Sequence, residues 1–188
     1  MYKLCKTEQS AVRQRQLEKA LLDAMRSTPY EELSISDLCE RIHVPRKSFY
    51  RYFSGKDGAL MALLDHTLME FEQSGVSRSR KNTPAQDLQR YFDFWYDNRD
   101  LLDALCKNCL TGVLVERATE HALNEGMMPA YLRPLSQDVQ NLALTFAVCG
   151  LLSMVIQWHN DGFRQSSKDM AQIATWLLTK PLMATTDK

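Results

Sequence analysis

Residues 45–52 read Pro45-Arg46-Lys47-Ser48-Phe49-Tyr50-Arg51-Tyr52: three basic side chains, two tyrosines, one serine and no acid in eight positions. Guanidinium and ammonium groups donate to phosphate oxygens and guanine edges, and hydroxyls bond to either. Collected on one short element, they are the chemistry of duplex DNA recognition. Phe49 and Phe53 are four apart, so on a helix they share a face and can turn towards a core. That leaves Arg46, Lys47, Ser48, Tyr50, Arg51 and Tyr52 to spread over the exposed surface. A basic helix of this length is also ordinary solvated surface in many helical bundles, so its context decides.

Elsewhere the reactive residue types do not assemble. Cys106 and Cys109 have the spacing of a redox or metal pair, but no two further ligands accompany them. The strand context of a thioredoxin-like motif is absent as well, which favours packing over thiol chemistry. The histidines at 43, 66, 121 and 159 fall in no ligand spacing. No nucleophile–base pair, phosphate loop or metal cluster is legible, so neither an enzyme nor a resident metal or cofactor is expected. The aromatics Tyr91, Phe92, Phe94 and Trp95 suit a core better than a ligand cage. Met127 and Met128 beside Gly126 suit an adaptable pocket wall or plain packing.

The elements that must position these residues are helices. Apolar residues recur three and four apart nearly throughout, and no convincing strand is found. The spacing predicts about nine helices, the first from about Glu8 to Arg26 with Leu17, Ala20, Leu21, Ala24 and Met25 on one face. Ser34 and Asp37 have capping-box spacing at the start of a short helix ending near Ile42. His43-Val44 makes a tight turn, and Pro45 suits the opening of the next helix, which runs to about Tyr52. Two short helices joined by a turn of this length form a helix-turn-helix, whose second helix enters the major groove. A fourth helix starts near Lys56 with Leu60, Leu64, Leu68 and Phe71 inward, and the polar stretch 73–83 reads as a linker. Thr83 then caps a helix opened by Pro84, and the later helices fall at about 84–97, 99–108, 110–123, 136–160 and 167–179.

The whole chain sets the bounds. Its 188 residues are 45% apolar and 24% charged, values of an ordinary globular protein long enough to bury a core. The formal net charge of zero hides a partition: residues 1–57 hold eleven basic against eight acidic side chains, net +3, and the remainder is −3. Five cysteines at irregular spacing argue against a disulfide framework, and the first thirty residues lack the apolar core of a signal peptide, so a cytoplasmic location is expected. Val139–His159 carries no charge over 21 positions, but its polar residues and the short dense part, Leu142–Ile156, favour a helix buried between other helices over a membrane span.

The stretch Ser34–Lys56 resembles the N-terminal domain of the TetR/AcrR family of bacterial transcription regulators. The resemblance is carried by Ser34-Ile35-Ser36-Asp37-Leu38-Cys39, Val44-Pro45, Phe49-Tyr50-Arg51-Tyr52-Phe53 and Lys56-Asp57-Gly58-Ala59-Leu60, and it covers about residues 8–71. It implies base contacts from Arg46, Lys47 and Ser48, with Tyr50 also at the groove. It implies phosphate contacts from Tyr52 and Lys56, and a backbone contact from Ser36. Two departures stand out. His43 occupies the usual turn glycine, so it must adopt a positive φ, which histidine tolerates better than most residues. Pro45 replaces the usual small hydroxyl residue, which removes a cap bond.

The resemblance further implies a C-terminal helical domain that dimerises and holds a small-molecule pocket. The domains expected are 1–55 for DNA binding, 56–82 as connecting helix and linker, and 83–188 for dimerisation and regulation. The last two long helices would form a four-helix bundle with those of a second copy, with Gly150 and Ser153 permitting close approach. Candidate pocket residues are Tyr91, Phe94, Trp95, Cys106, Met127 and Trp158. The run Tyr91-Phe92-x-Phe94-Trp95-Tyr96 followed by Asn98-Arg99-Asp100-x-Leu102 resembles a subset of the family that includes a dihydroxyacetone-kinase-operon coactivator. The expected function is a homodimeric repressor of a palindromic operator, released by a small-molecule effector. The alternative is a ligand-dependent coactivator of the same fold acting through a protein partner.

Overall fold

The structure is a computed structural model, and it describes residues 2, 3, 5, 7–74, 83–124 and 133–179. Among these, nine α-helices and one short 3-10 turn are formed, and the only extended pairing is an isolated antiparallel bridge between Tyr2 and Phe53. The helices are α1 (Glu8–Met25), α2 (Ile35–Arg41), α3 (Arg46–Tyr52), α4 (Lys56–Gln73), α5 (Pro84–Asp97), α6 (Arg99–Lys107), α7 (Thr111–Asn124), α8 (Gln137–Asn160) and α9 (Ser167–Thr179). The 3-10 turn, Tyr30–Glu32, was not foreseen from the sequence. Most of the expected linker, 75–82, lies outside the described residues, as do Gly126, Met127 and Met128.

The chain divides into two compact units that do not follow chain order: residues 1–69 with 103–117, and residues 70–102 with 118–188. In the first unit, α1 turns Leu17, Leu21, Ala24 and Met25 inward, and Leu38, Phe49, Phe53, Leu60 and Leu64 meet the same core, all at 2% exposure or less. The Phe49 and Phe53 rings pack at 5.0 Å, as their i, i+4 spacing requires. Side chains then tie elements together. Asn108 accepts from the Tyr30 N–H at 2.6 Å and donates to the Met25 carbonyl at 3.1 Å. Arg117 of α7 places Nε and Nη2 on Asp65 of α4 at 2.6–2.8 Å, a bidentate charge-assisted pair.

In the second unit α5 packs along α9, and Phe92 meets Trp158 of α8 edge-on at 5.7 Å. Thr83 closes a full capping box with Gln86 at the start of α5. Ser166 and Asp169 exchange the same reciprocal bonds before α9, as their spacing predicts. Helix α8 stops at Gly162, where the backbone turns to φ 71°.

In the single chain α8 is buried on one side only. Leu144, Leu152, Val155 and Trp158 are buried, but the opposite face is open, with Leu142 at 71% and Phe146 at 67% exposure. A single chain covers only one side of a helix that is apolar all round. By length and composition α8 could cross a membrane, with a mean hydropathy of 1.9 and 17% of that stretch buried.

Candidate nucleic-acid interface

Three local devices set α3 in place. Ser34 caps α2: its hydroxyl accepts from the Asp37 N–H at 3.2 Å, and the Asp37 carboxylate accepts from the Ser34 N–H at 3.2 Å and from its hydroxyl at 2.7 Å. These bonds hold the Asp37 carboxyl below its ordinary pKa. His43 adopts φ 53°, the left-handed turn its place in the sequence demands. The Val44 N–H donates back to the Cys39 carbonyl at 2.9 Å, closing the turn. Pro45 then presets the entry to α3 and supplies no side-chain cap, in keeping with the hydroxyl lost at that position.

Helix α3 separates its residues cleanly. Phe49, Tyr52 and Phe53 are buried, whereas Arg46, Lys47, Tyr50 and Arg51 are exposed and Ser48 is half-buried. The exposed face thus carries three cations and a phenol, with no acid on the helix. Arg46 Nη2 donates to the Tyr50 hydroxyl at 3.4 Å, one turn along, so the two are held side by side. Ser36 sits half-buried in the first turn of α2.

Two expected contacts are placed differently. Tyr52 was expected on the exposed surface, but it is 6% exposed and packs beside Phe53. The reason is helical geometry: position 52 lies three residues from Phe49 and shares its inward face. Lys56 begins α4, but its ammonium donates to the carbonyls of Tyr30, Glu31 and Leu33 at 2.5, 3.0 and 3.3 Å and lies 4.6 Å from the centre of the Tyr30 ring. Its three donors already have three acceptors. The Tyr30 hydroxyl in turn donates to Asp57 at 2.6 Å. Sequence reasoning missed this assembly, because the partners stand more than twenty residues apart and no local spacing announces them.

Four of the six candidate pocket residues, Tyr91, Phe94, Trp95 and Trp158, belong to one run of aromatic contacts. Tyr91, Phe94 and Trp95 cluster with Phe71 in the second unit, with Phe71 5.6 Å from Tyr91 and 5.1 Å from Phe94. Trp158 joins the same set of rings through Phe92, which lies 5.3 Å from Tyr91 and 5.7 Å from Trp158; beyond it stand Tyr96 and Phe163, and the Trp158 indole N–H donates to the Gln165 carbonyl at 3.0 Å. Cys106 falls in the first unit, and Met127 lies outside the described residues. Tyr91 Oη and Trp95 Nε1 are buried and make no hydrogen bond of ordinary geometry; burial pushes the Tyr91 phenol far above its ordinary pKa, and the nearby Trp95 N–H offsets part of that rise.

Comparison with known proteins agrees with this arrangement. Residues 19–63 match the family described as bacterial regulatory proteins, tetR family, and residues 82–180 match the transcriptional regulator C-terminal region of TetR type. The HTH-type dhaKLM operon transcriptional activator DhaS of Lactococcus lactis is 29% identical over 63 residues, which is 34% of each chain, so the match spans about a third of that relative's length. Among solved structures, a TetR-family regulator of Syntrophomonas wolfei shares the fold at a TM-score of 0.65 with 14% identity, over 93% of this chain and 99% of that one. The fatty acid degradation regulator FadR of Bacillus halodurans does so at 0.60 with 16% identity, over 96% and 99%. The dihydroxyacetone kinase operon activator DhaS does so at 0.55 with 16% identity, over 89% and 94%. With its N-terminal region and more than half of its length at the C-terminal side both matched, the chain belongs to the TetR family of bacterial transcriptional regulators.

Proposed function

We propose that this regulator is a homodimeric repressor that reads a palindromic operator with α3 and is released by a small-molecule effector. The observation that carries the reading is the exposed face of α3, where Arg46, Lys47, Tyr50 and Arg51 stand clear of solvent-excluded Phe49, Tyr52 and Phe53. Arg46 and Lys47, with Ser48, lie at the helix start, the part of a reading helix that reaches base edges. In this reading Ser36 meets the phosphate backbone, and Arg51 is a further DNA contact on the exposed face of α3. Lys56 adds charge beside them while anchoring the 3-10 turn. In this division of labour, residues 1–55 read DNA, 56–82 connect, and 83–188 pair the chains and hold the effector.

Dimerisation is supported by an apolar stripe on α8. Val139, Leu142, Phe146, Gly150 and Ser153 follow one another at spacings of three and four and are all exposed. Ile173 and Trp176 continue the pattern on α9 at 44% and 56% exposure. A two-fold axis through such a patch matches the symmetry of a palindrome. The effector is supported by Tyr91 and Trp95: buried donors without acceptors are costly, and a ligand that accepts from them removes the penalty. Its binding would shift the protein between DNA-matched and mismatched states by differential affinity.

Selection of random duplex DNA with the purified protein tests the reading. Enrichment of a palindrome with half-sites about one helical turn apart is the expected result. Folded, dimeric protein that enriches no sequence would favour the second reading, a coactivator acting through a protein partner. That reading draws on the similarity to a relative described as an operon activator.

A further inference from the structure

We propose that Tyr2 is a positioning residue for the reading helix, fastening the end of α3 to the ion pair between Asp65 on α4 and Arg117 on α7. The inference rests on the DNA-reading role of α3. The backbone half of the fastening is the bridge between Tyr2 and Phe53, with the Lys3 N–H donating to the Tyr52 carbonyl at 2.9 Å. The last carbonyls of a helix have no partner within it, so this bond engages α3 where its own ladder ends. The side-chain half reaches the other way. The Tyr2 hydroxyl donates to Asp65 Oδ2 at 2.8 Å, and its ring meets His66 edge-on at 5.8 Å. Asp65 is 8% exposed and takes the Arg117 fork through both oxygens.

One buried carboxylate is therefore shared between a residue fixed to α3 and a guanidinium on α7. Withdrawing either partner leaves that charge less compensated, so the two contacts are energetically coupled. Both α4 and α7 run on without a break into the second unit, at residues 70 and 118. Burial and the neighbouring Asp65 push the Tyr2 phenol up to about 12, so it remains a donor across the physiological range.

The test uses the full chain, a duplex obtained by selection, and three variants: Tyr2→Phe, Arg117→Met and the double substitution. Tyr2→Phe keeps the ring and the backbone bridge and removes only the hydroxyl. Fluorescence anisotropy is expected to show about tenfold weaker binding for each single variant, the scale of a lost hydrogen bond to a charged group. The double variant should depart from additivity, because it withdraws both donors from the buried Asp65 at once, and the salt slope of Tyr2→Phe should equal the wild-type slope, because no phosphate contact is lost. Wild-type affinity in Tyr2→Phe, or additive losses in the double variant, would overturn the proposal. If the wild-type chain binds no duplex, the DNA reading fails separately, and hydrogen exchange of the α3 amides decides. Faster exchange in Tyr2→Phe at unchanged global stability supports the fastening, and unchanged exchange refutes it.

Discussion

Arg46 and Lys56 are both cations at or beside α3, yet their surroundings differ, and under the proposed reading so does their work. Arg46 is exposed at the start of α3 and held beside Tyr50, free to present its fork to a base edge. A bidentate guanidinium–guanine contact discriminates by about 1–3 kcal/mol. Arg46→Ala is therefore expected to weaken binding to the selected operator by about ten- to a hundredfold and to flatten the base preference at one position of each half-site. Anisotropy against single-position operator variants measures both effects, and a uniform loss across all variants would reassign Arg46 to the phosphates. Lys56 bridges the carbonyls of Tyr30, Glu31 and Leu33, two of which belong to buried residues. Its replacement by Ala should lower unfolding stability in urea by about 2 kcal/mol, the range for hydrogen bonds from a charged group. The salt slope of operator binding should remain that of wild type. A slope smaller by about 0.9 would instead put this ammonium on a phosphate.

At the scale of elements, local rules made several helix starts and the turn before α3 legible. Ser34 with Asp37, Thr83 with Gln86 and Ser166 with Asp169 are three-residue spacings, and all three close as capping boxes or reciprocal cap pairs. The φ of 53° at His43 and the missing side-chain cap at Pro45 likewise follow from single positions. What the sequence concealed depends on partners far apart: the Asn108 contacts to Met25 and Tyr30 span 83 and 78 residues, and the Tyr2–Asp65 bond spans 63. No periodicity encodes such a meeting. The same limit put Tyr52 on the wrong face, because only the packed core shows how wide the inward sector of α3 is. The capping boxes carry a pH dependence whose sign can be worked out. Asp37 and Asp169 have depressed pKa values, each chiefly through a hydrogen bond from the preceding serine hydroxyl. A depressed carboxyl binds fewer protons folded than unfolded, so its contribution is complete above the ordinary value of 3.8 and fades as pH falls through the lower folded value. Urea midpoints should accordingly drop between pH 5 and pH 3, and the drop should be smaller in Ser34→Ala. An equal drop in that variant would show that the acid sensitivity arises elsewhere.

At the scale of the whole molecule, the question is what becomes of α8. Its sequence is free of charge from Val139 onward, which announces burial on both sides without saying by what, and the single chain covers only the Leu144–Leu152–Val155–Trp158 side. The other side presents Leu142 and Phe146 one turn apart with Gly150 and Ser153 beyond them. A soluble monomer rarely leaves such a contiguous apolar stripe in water, and small residues at one end allow two helices to approach closely. A second copy of the chain is the self-complementary solution, since a two-fold axis places the same stripe against itself. Burying a Leu or Phe side chain stabilises by about 1.5–3 kcal/mol, and a two-fold interface counts each residue twice. Leu142→Glu with Phe146→Glu would lose four such side chains and bring four carboxylates together, a change of many kcal/mol. Sedimentation equilibrium is thus expected to show a dimer for the wild-type chain at micromolar concentration and a folded monomer for the double variant, with unchanged helical circular dichroism. Operator binding should then fall to that of one half-site, because each monomer must occupy its site alone. A double variant that remains dimeric would place the interface away from α8. A wild-type chain that partitions into detergent or lipid vesicles instead of pairing would assign the stripe to a membrane surface, the alternative that the length and hydropathy of α8 also satisfy.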